Sequence, residues 1–163
     1  MELKDIHIFK KAILNEVEGY EFYKMAAHSA EDPEAKRLFN EMANEERDHL
    51  EWLRDVFQKL GGVDEDRFKL SMLEMPQSPG IFTWENVSVK NPSLAVSIFG
   101  MAMTFERESV ALYESAMAES VDENAKRVFE ILLHWEEGHL QRFSKAYEVY
   151  SEDWWADQNF HPF

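Results

Sequence analysis

Cysteine is absent from the 163 residues, which excludes disulfides, thiolate nucleophiles, zinc knuckles and cysteine-ligated iron. Any metal must be held by oxygen and imidazole. Backbone breakers are scarce too: six Gly and five Pro leave long stretches in which a helix can run uninterrupted. There is no apolar run of the roughly eighteen residues that a membrane span requires, and Met1-Glu2-Leu3-Lys4-Asp5 lacks the charged-then-apolar order of a signal peptide. The expectation is a cytoplasmic protein that does not enter a membrane. Positive charge is in short supply, with 17 Lys and Arg against 32 Asp and Glu and a net charge of -15. Nucleic acid and anionic membrane surfaces would be repelled, and cations attracted.

The chain is 45% hydrophobic and 30% charged, the balance of a globular helical domain, and its length suits a single domain over residues 1–163. Apolar positions at alternating steps of three and four predict four long helices. The first stripe runs Ile6, Phe9, Ile13, Tyr20, Tyr23, Ala27 and Ala30, with Glu16 in one of its places and Asp5 as the expected cap. Asp32-Pro33 opens the second, whose stripe is Ala35, Leu38, Met42, Glu46, His49, Leu53, Val56 and Leu60, stopped by Gly61-Gly62. After Asn91-Pro92 the third carries Val96, Phe99, Met103, Glu106, Val110, Tyr113 and Met117. Asp122 caps the fourth, which shows Ala125, Phe129, Leu132, Glu136, His139, Phe143, Ala146 and Tyr150.

Residues 61–91 have no sustained period, and Met75-Pro76-Gln77-Ser78-Pro79-Gly80 reads as a loop. So long a connection fits if it runs the length of a bundle to join two parallel helices, with Ile81, Phe82 and Trp84 lying over it. The tail, residues 151–163, is too short for a full fifth helix. Its Trp154, Trp155, Phe160 and Phe163 are expected to cover core or a subunit interface.

Sliding the chain on itself by ninety residues pairs 3–60 with 93–150 and gives fifteen identities in fifty-eight positions, against roughly three or four for ordinary composition. Among them are Phe9 with Phe99, Glu16 with Glu106, Tyr23 with Tyr113, Asp32 with Asp122, Glu46 with Glu136 and His49 with His139. The halves read as two copies of one helical hairpin, packed about a pseudo-twofold into a four-helix bundle. Each Glu-x-x-His places both side chains on one helix face, one turn apart. Four carboxylates gathered in a core cannot all stay ionised without cations, and two divalent metals would neutralise them. Glu from two helices with Glu-x-x-His from the other two is the ligand set of di-iron and di-manganese bundles.

At these residues the sequence resembles the ferritin-like superfamily, in particular its rubrerythrin-like branch. The resemblance implies a ferritin-like bundle holding two iron ions, with manganese as the other choice. Glu46 and Glu136 would bridge the metals, Glu16 and Glu106 would be terminal ligands, and His49 and His139 would each bind one metal. Tyr23 and Tyr113 would donate hydrogen bonds to carboxylates, although as residues alone they also read as plain core aromatics. The implied activity is a di-iron oxidoreductase that reacts with hydrogen peroxide or dioxygen. The alternatives are Fe(II) oxidation for iron handling or storage, and a bundle whose metals only neutralise its core. The chain departs from the pattern in having no rubredoxin-type cysteines and in carrying Ser109 where rubrerythrins have a further carboxylate. Electrons are therefore expected from an external redox partner, and a homodimer is plausible for such bundles. Glu18, Glu108, Glu45 and Glu137 read as solvated, and His7, His28, His134 and His161 fall off the stripes.

Overall fold

Four long helices form in the computed structural model, which describes residues 3–60, 81 and 94–157. They are α1 (Leu3–Ser29), α2 (Pro33–Lys59), α3 (Leu94–Glu119) and α4 (Glu123–Asp157). Asp32 caps α2 from extended backbone, accepting from Ala35 N at 2.7 Å, with Pro33 following where its missing N–H costs nothing. Asp122 does the same for α4, accepting from Asn124 N at 2.8 Å and Ala125 N at 3.3 Å. Asp5 behaves differently from expectation. It lies fully buried inside the first turn of α1, and its Oδ1 accepts from Val121 N at 3.1 Å, so it secures the α3–α4 turn and not its own helix.

α1 packs on α2, and α3 on α4, as two hairpins. Across the bundle Asp5 meets Val121, Glu16 meets Tyr113 and Tyr23 meets Glu106, so α3 runs antiparallel to α1. Asp32 with Tyr150 and Glu45 with Arg142 set α4 antiparallel to α2 in the same way. It follows that α2 and α3 are parallel, so the end of α2 and the start of α3 lie at opposite ends of the bundle. Ile81, between α2 and α3 in sequence, is packed in the core with Phe22, Phe39 and Phe99. Phe82 and Trp84 lie outside the described residues, as do Gly61-Gly62, Asn91-Pro92, Phe160, His161 and Phe163.

The apolar core is split in two. At one end Phe39, Phe99, Phe143 and Tyr23 form a stacked group, with Phe39 and Phe99 centroids 4.9 Å apart. At the other, Phe9 sits between Phe57 at 5.3 Å and Phe129 at 5.0 Å. Each fully buried Phe contributes roughly 1.5–3 kcal/mol, and the two clusters fix how far apart the helices stand at the layer between them. That layer is polar.

α4 continues through residues 151–157 instead of stopping near Tyr150, because no Gly or Pro interrupts it before Pro162. Tyr150 already reaches the start of α2, donating to Asp32, so the last turns project past the bundle. Trp154 and Trp155 meet edge to face there at 4.6 Å, and neither joins a core cluster. Asp32 thus serves its own helix and holds α4. Asp32→Ala is expected to cost about 1–2 kcal/mol, measured as a fall in the urea midpoint at unchanged slope.

Candidate metal centre

Each helix sends one or two ionisable side chains into the layer between the apolar clusters: Glu16 from α1, Glu46 and His49 from α2, Glu106 from α3, Glu136 and His139 from α4. None is more than 7% exposed. The three-four periodicity that buries their apolar neighbours necessarily buries them.

His49 Nδ1 lies 3.3 Å from Glu16 Oε2, 3.5 Å from Glu46 Oε2 and 3.9 Å from Glu136 Oε1. His139 Nδ1 lies 3.1 Å from Glu46 Oε1, 3.7 Å from Glu106 Oε2 and 3.4 Å from Glu136 Oε2. Glu46 and Glu136 therefore each offer one oxygen to either side, whereas Glu16 serves only the His49 side and Glu106 only the His139 side. The potential donor atoms form two four-residue sets, Glu16-Glu46-His49-Glu136 and Glu46-Glu106-Glu136-His139, and a three-residue set, Glu46-His49-His139, that spans both sides, each with atoms within 4.8 Å of one another. The two imidazoles lie nearly parallel, 5.1 Å between centroids. Tyr113 donates to Glu16 Oε1 and Tyr23 to Glu106 Oε1, both fully buried, which orients the other oxygen of each carboxylate inward.

Glu16 Oε2, His49 Nδ1, Glu106 Oε2, Glu136 Oε1 and His139 Nδ1 are buried without hydrogen-bond partners. Orphaned polar atoms in a core are costly, and here they converge on the same small region. A hard or borderline dication accepting oxygen and imidazole nitrogen would satisfy all of them. Charge tells the same story: four carboxylates and two neutral imidazoles balance two dications. Without metal the centre must take up protons instead. Burial, then the Glu46 carboxylate, pushes Glu16 up to about 7. Burial and the surrounding carboxylates push Glu136 well above the usual carboxylate range. Although burial pulls both imidazoles down, Glu16 and Glu46 outweigh it and bring His49 up to about 9. Glu46 and Glu136 do the same to His139. Glu46 is held below its ordinary value, because His139 and His49 overcome the burial that would raise it.

One residue of the site departs from the sequence reading. Glu45, expected in solvent, reaches across to α4, where its Oε2 lies 3.3 Å from His139 Nε2 and its Oε1 accepts from Arg142 at 2.7 Å. That ion pair, then His139, draws Glu45 down to about 2. Glu108 and Glu137 are exposed, Glu18 is half-buried outside the cluster, and His7, His28 and His134 are exposed. Ser109 is buried and accepts from Asn15 Nδ2 at 3.1 Å; the same amide lies 3.3 Å from the Tyr113 hydroxyl.

Two antiparallel hairpins with a carboxylate–imidazole cluster across their middle define a ferritin-like four-helix bundle. Solved structures share the fold. A two-domain protein from Anabaena variabilis with DJ-1/ThiJ/PfpI-like and ferritin-like domains aligns with a TM-score of 0.68 and 19% identity over 89% of this chain, which spans 39% of that protein. A dodecameric thioferritin, the bacterioferritin-related protein of Bacteroides fragilis, gives 0.66 and 20% over 97% of this chain and 90% of its own. A hypothetical protein from Pyrococcus furiosus gives 0.62 and 22% over 90% of each. The chain belongs to the rubrerythrin family, whose model matches residues 7–147. No curated protein sequence matches it closely enough to count as a relative. The family implies a di-iron site, and the cluster fits metal binding. No helix among the described residues is long and apolar enough to cross a membrane.

Proposed function

We propose that the protein is a di-iron oxidoreductase that reduces hydrogen peroxide, or dioxygen, with electrons from a separate redox protein in the cytoplasm. The observation that carries this reading is the set of five orphaned donor atoms facing one another across two shared carboxylates. Glu46 and Glu136 would bridge the metals, Glu16 with His49 would complete one position, and Glu106 with His139 the other. Tyr23 and Tyr113 hold the outer oxygens of the terminal carboxylates so that the inner ones stay aimed. Hydrogen peroxide takes up two electrons and two protons to give two waters, a pair that two Fe(II) ions held here would supply, whereas dioxygen needs four of each and so a second reduction by the redox partner. The apolar clusters on either side keep bulk water from the layer, and Glu46 and Glu136, which belong to both four-residue donor sets, would hold two metals at reacting distance. No cysteine stands among the 163 residues to hold a rubredoxin-type iron, which supports a separate redox protein as the electron donor.

A second reading, Fe(II) oxidation for iron handling or storage, uses the same centre. It draws on the net charge of -15, which concentrates cations at the surface, and on the dodecameric assembly of the Bacteroides fragilis neighbour. Metal content of anaerobically purified protein, followed by the optical spectrum during peroxide addition, separates the two. Two irons per chain, oxidised at one peroxide per centre and re-reduced without iron release, are expected. Oxidation by dioxygen with uptake of many further irons would favour storage. Metal without any spectral response would contradict both and leave a structural bundle.

A further inference from the structure

The ninety-residue register pairs residues that make matching contacts: Tyr23 on Glu106 with Tyr113 on Glu16, and Phe9 on Phe129 with Phe99 on Phe39. Beside the two imidazoles that correspondence fails. Position 45 corresponds to 135 and position 52 to 142, so Glu45 and Arg142 stand where Trp135 and Trp52 stand on the other side. The replacement is complete. Next to His139 there is an ion pair whose carboxylate lies 3.3 Å from Nε2. Next to His49 the Trp135 ring stacks on the imidazole at 4.2 Å, nearly parallel, and Trp52 meets Trp135 edge to face at 4.9 Å. Among the described residues no carboxylate meets the outer nitrogen of His49.

A carboxylate on the outer nitrogen of a ligand histidine fixes its tautomer and ring orientation and raises its basicity. Glu45 is itself held by two guanidinium contacts from Arg142, so it cannot follow the ring if the ring turns. A stacked indole fills space beside His49 and limits tilting, but adds no negative charge and no hydrogen-bond acceptor. We propose that the two metal positions are unequal by construction: Glu45, clamped by Arg142, makes the Glu106–His139 position the tighter one, and the Trp52–Trp135 pair leaves the Glu16–His49 position the weaker and more exchangeable. This rests on the di-metal reading above and assigns Glu45 and Arg142 as positioning residues.

Cobalt(II) is a suitable probe, added anaerobically to metal-free full-length protein and followed by calorimetry and visible absorption. The wild type is expected to bind two ions in two resolved steps. Glu45→Gln, and independently Arg142→Gln, should weaken the first step about 10-fold or more while leaving the second within about twofold. Both side chains are part-exposed, and a thermal melt of each variant establishes that it is folded. In the cobalt-loaded wild type, one hyperfine-shifted imidazole N–H should exchange slowly with solvent, and Glu45→Ala should abolish that protection. Two ions bound in one indistinguishable step, or a first step unchanged in both Gln variants, would overturn the inequality and leave the di-metal reading standing. No cobalt bound by the wild type would remove that reading, and this inference with it.

Discussion

Glu46→Ala is expected to empty both metal positions, whereas Glu16→Ala is expected to empty one. The distinction comes from where the oxygens point. Glu46 Oε1 faces His139 at 3.1 Å and Oε2 faces His49 at 3.5 Å, so its removal takes a donor from each set. Glu16 offers the cluster only Oε2, the other oxygen being held by Tyr113. Charge sharpens the difference. With Glu46 gone, three carboxylates would face two dications in a layer sealed above and below by phenylalanines, leaving a net positive charge in low dielectric. Losing an outer hydrogen-bond partner of a ligand already weakens binding about 10–100-fold, and losing a shared ligand costs each position more than that. Elemental analysis after loading with about two equivalents of Fe(II) and gel filtration should return near zero for Glu46→Ala, near one for Glu16→Ala, and two for the exposed control Glu108→Ala. Equal losses for Glu46→Ala and Glu16→Ala would refute the shared-carboxylate geometry.

The residues of this centre were legible in the sequence because helix periodicity is a local property. Glu16, Glu46, His49, Glu106, Glu136 and His139 interrupt apolar stripes, and a residue on such a stripe is buried wherever the helix packs. The hairpin pairing was legible for a similar reason, since short turns capped by Asp32 and Asp122 leave each pair of helices nowhere to go but back along one another. What could not be read was any contact made across helices by a residue off its own stripe. Glu45 sits beside Glu46 on the shoulder of α2, and only the approach of α4 brings Arg142 and His139 to it. Asp5 looked like a cap because Asp near a helix start usually is one, but the bundle brings the α3–α4 turn, with its free Val121 N–H, onto it. The signal that could have exposed Glu45 was a mismatch. In a register where Glu46 and His49 both recur, the change from Glu at 45 to Trp at 135, matched by Trp at 52 and Arg at 142, is a paired exchange. Paired exchanges of that kind imply contact.

The metal-free protein is expected to be most stable near pH 5 and to lose stability steadily toward pH 9, whereas the loaded protein should gain stability from pH 5 toward neutrality, as protons stop competing for its imidazole ligands, and show no decline above that. In the folded, metal-free centre Glu16 holds its proton up to about 7 against an ordinary 4.5. Between those values the folded chain carries a proton that the unfolded chain has released, so stability falls as pH rises through the interval. Glu136, raised for the same reasons, acts in the same direction. His49, raised to about 9 from 6.5, extends the decline: its contribution is complete below about pH 6.5 and gone above about 9. Glu46 works the other way and sets the acid side, because a carboxylate held below its ordinary value loses its contribution as pH drops beneath about 4.5. Because these groups share one buried layer their protons are lost together, and the slope they set should appear as a fall of several degrees in melting temperature across the range. Two bound dications would displace these protons and remove the cause of the slope. Melting temperatures of chelator-treated and metal-loaded protein at intervals from pH 5 to 9 test this directly. A flat profile for the metal-free chain would mean that the four carboxylates do not share one buried layer in solution, and a slope that persists unchanged after loading would mean that the metal binds elsewhere.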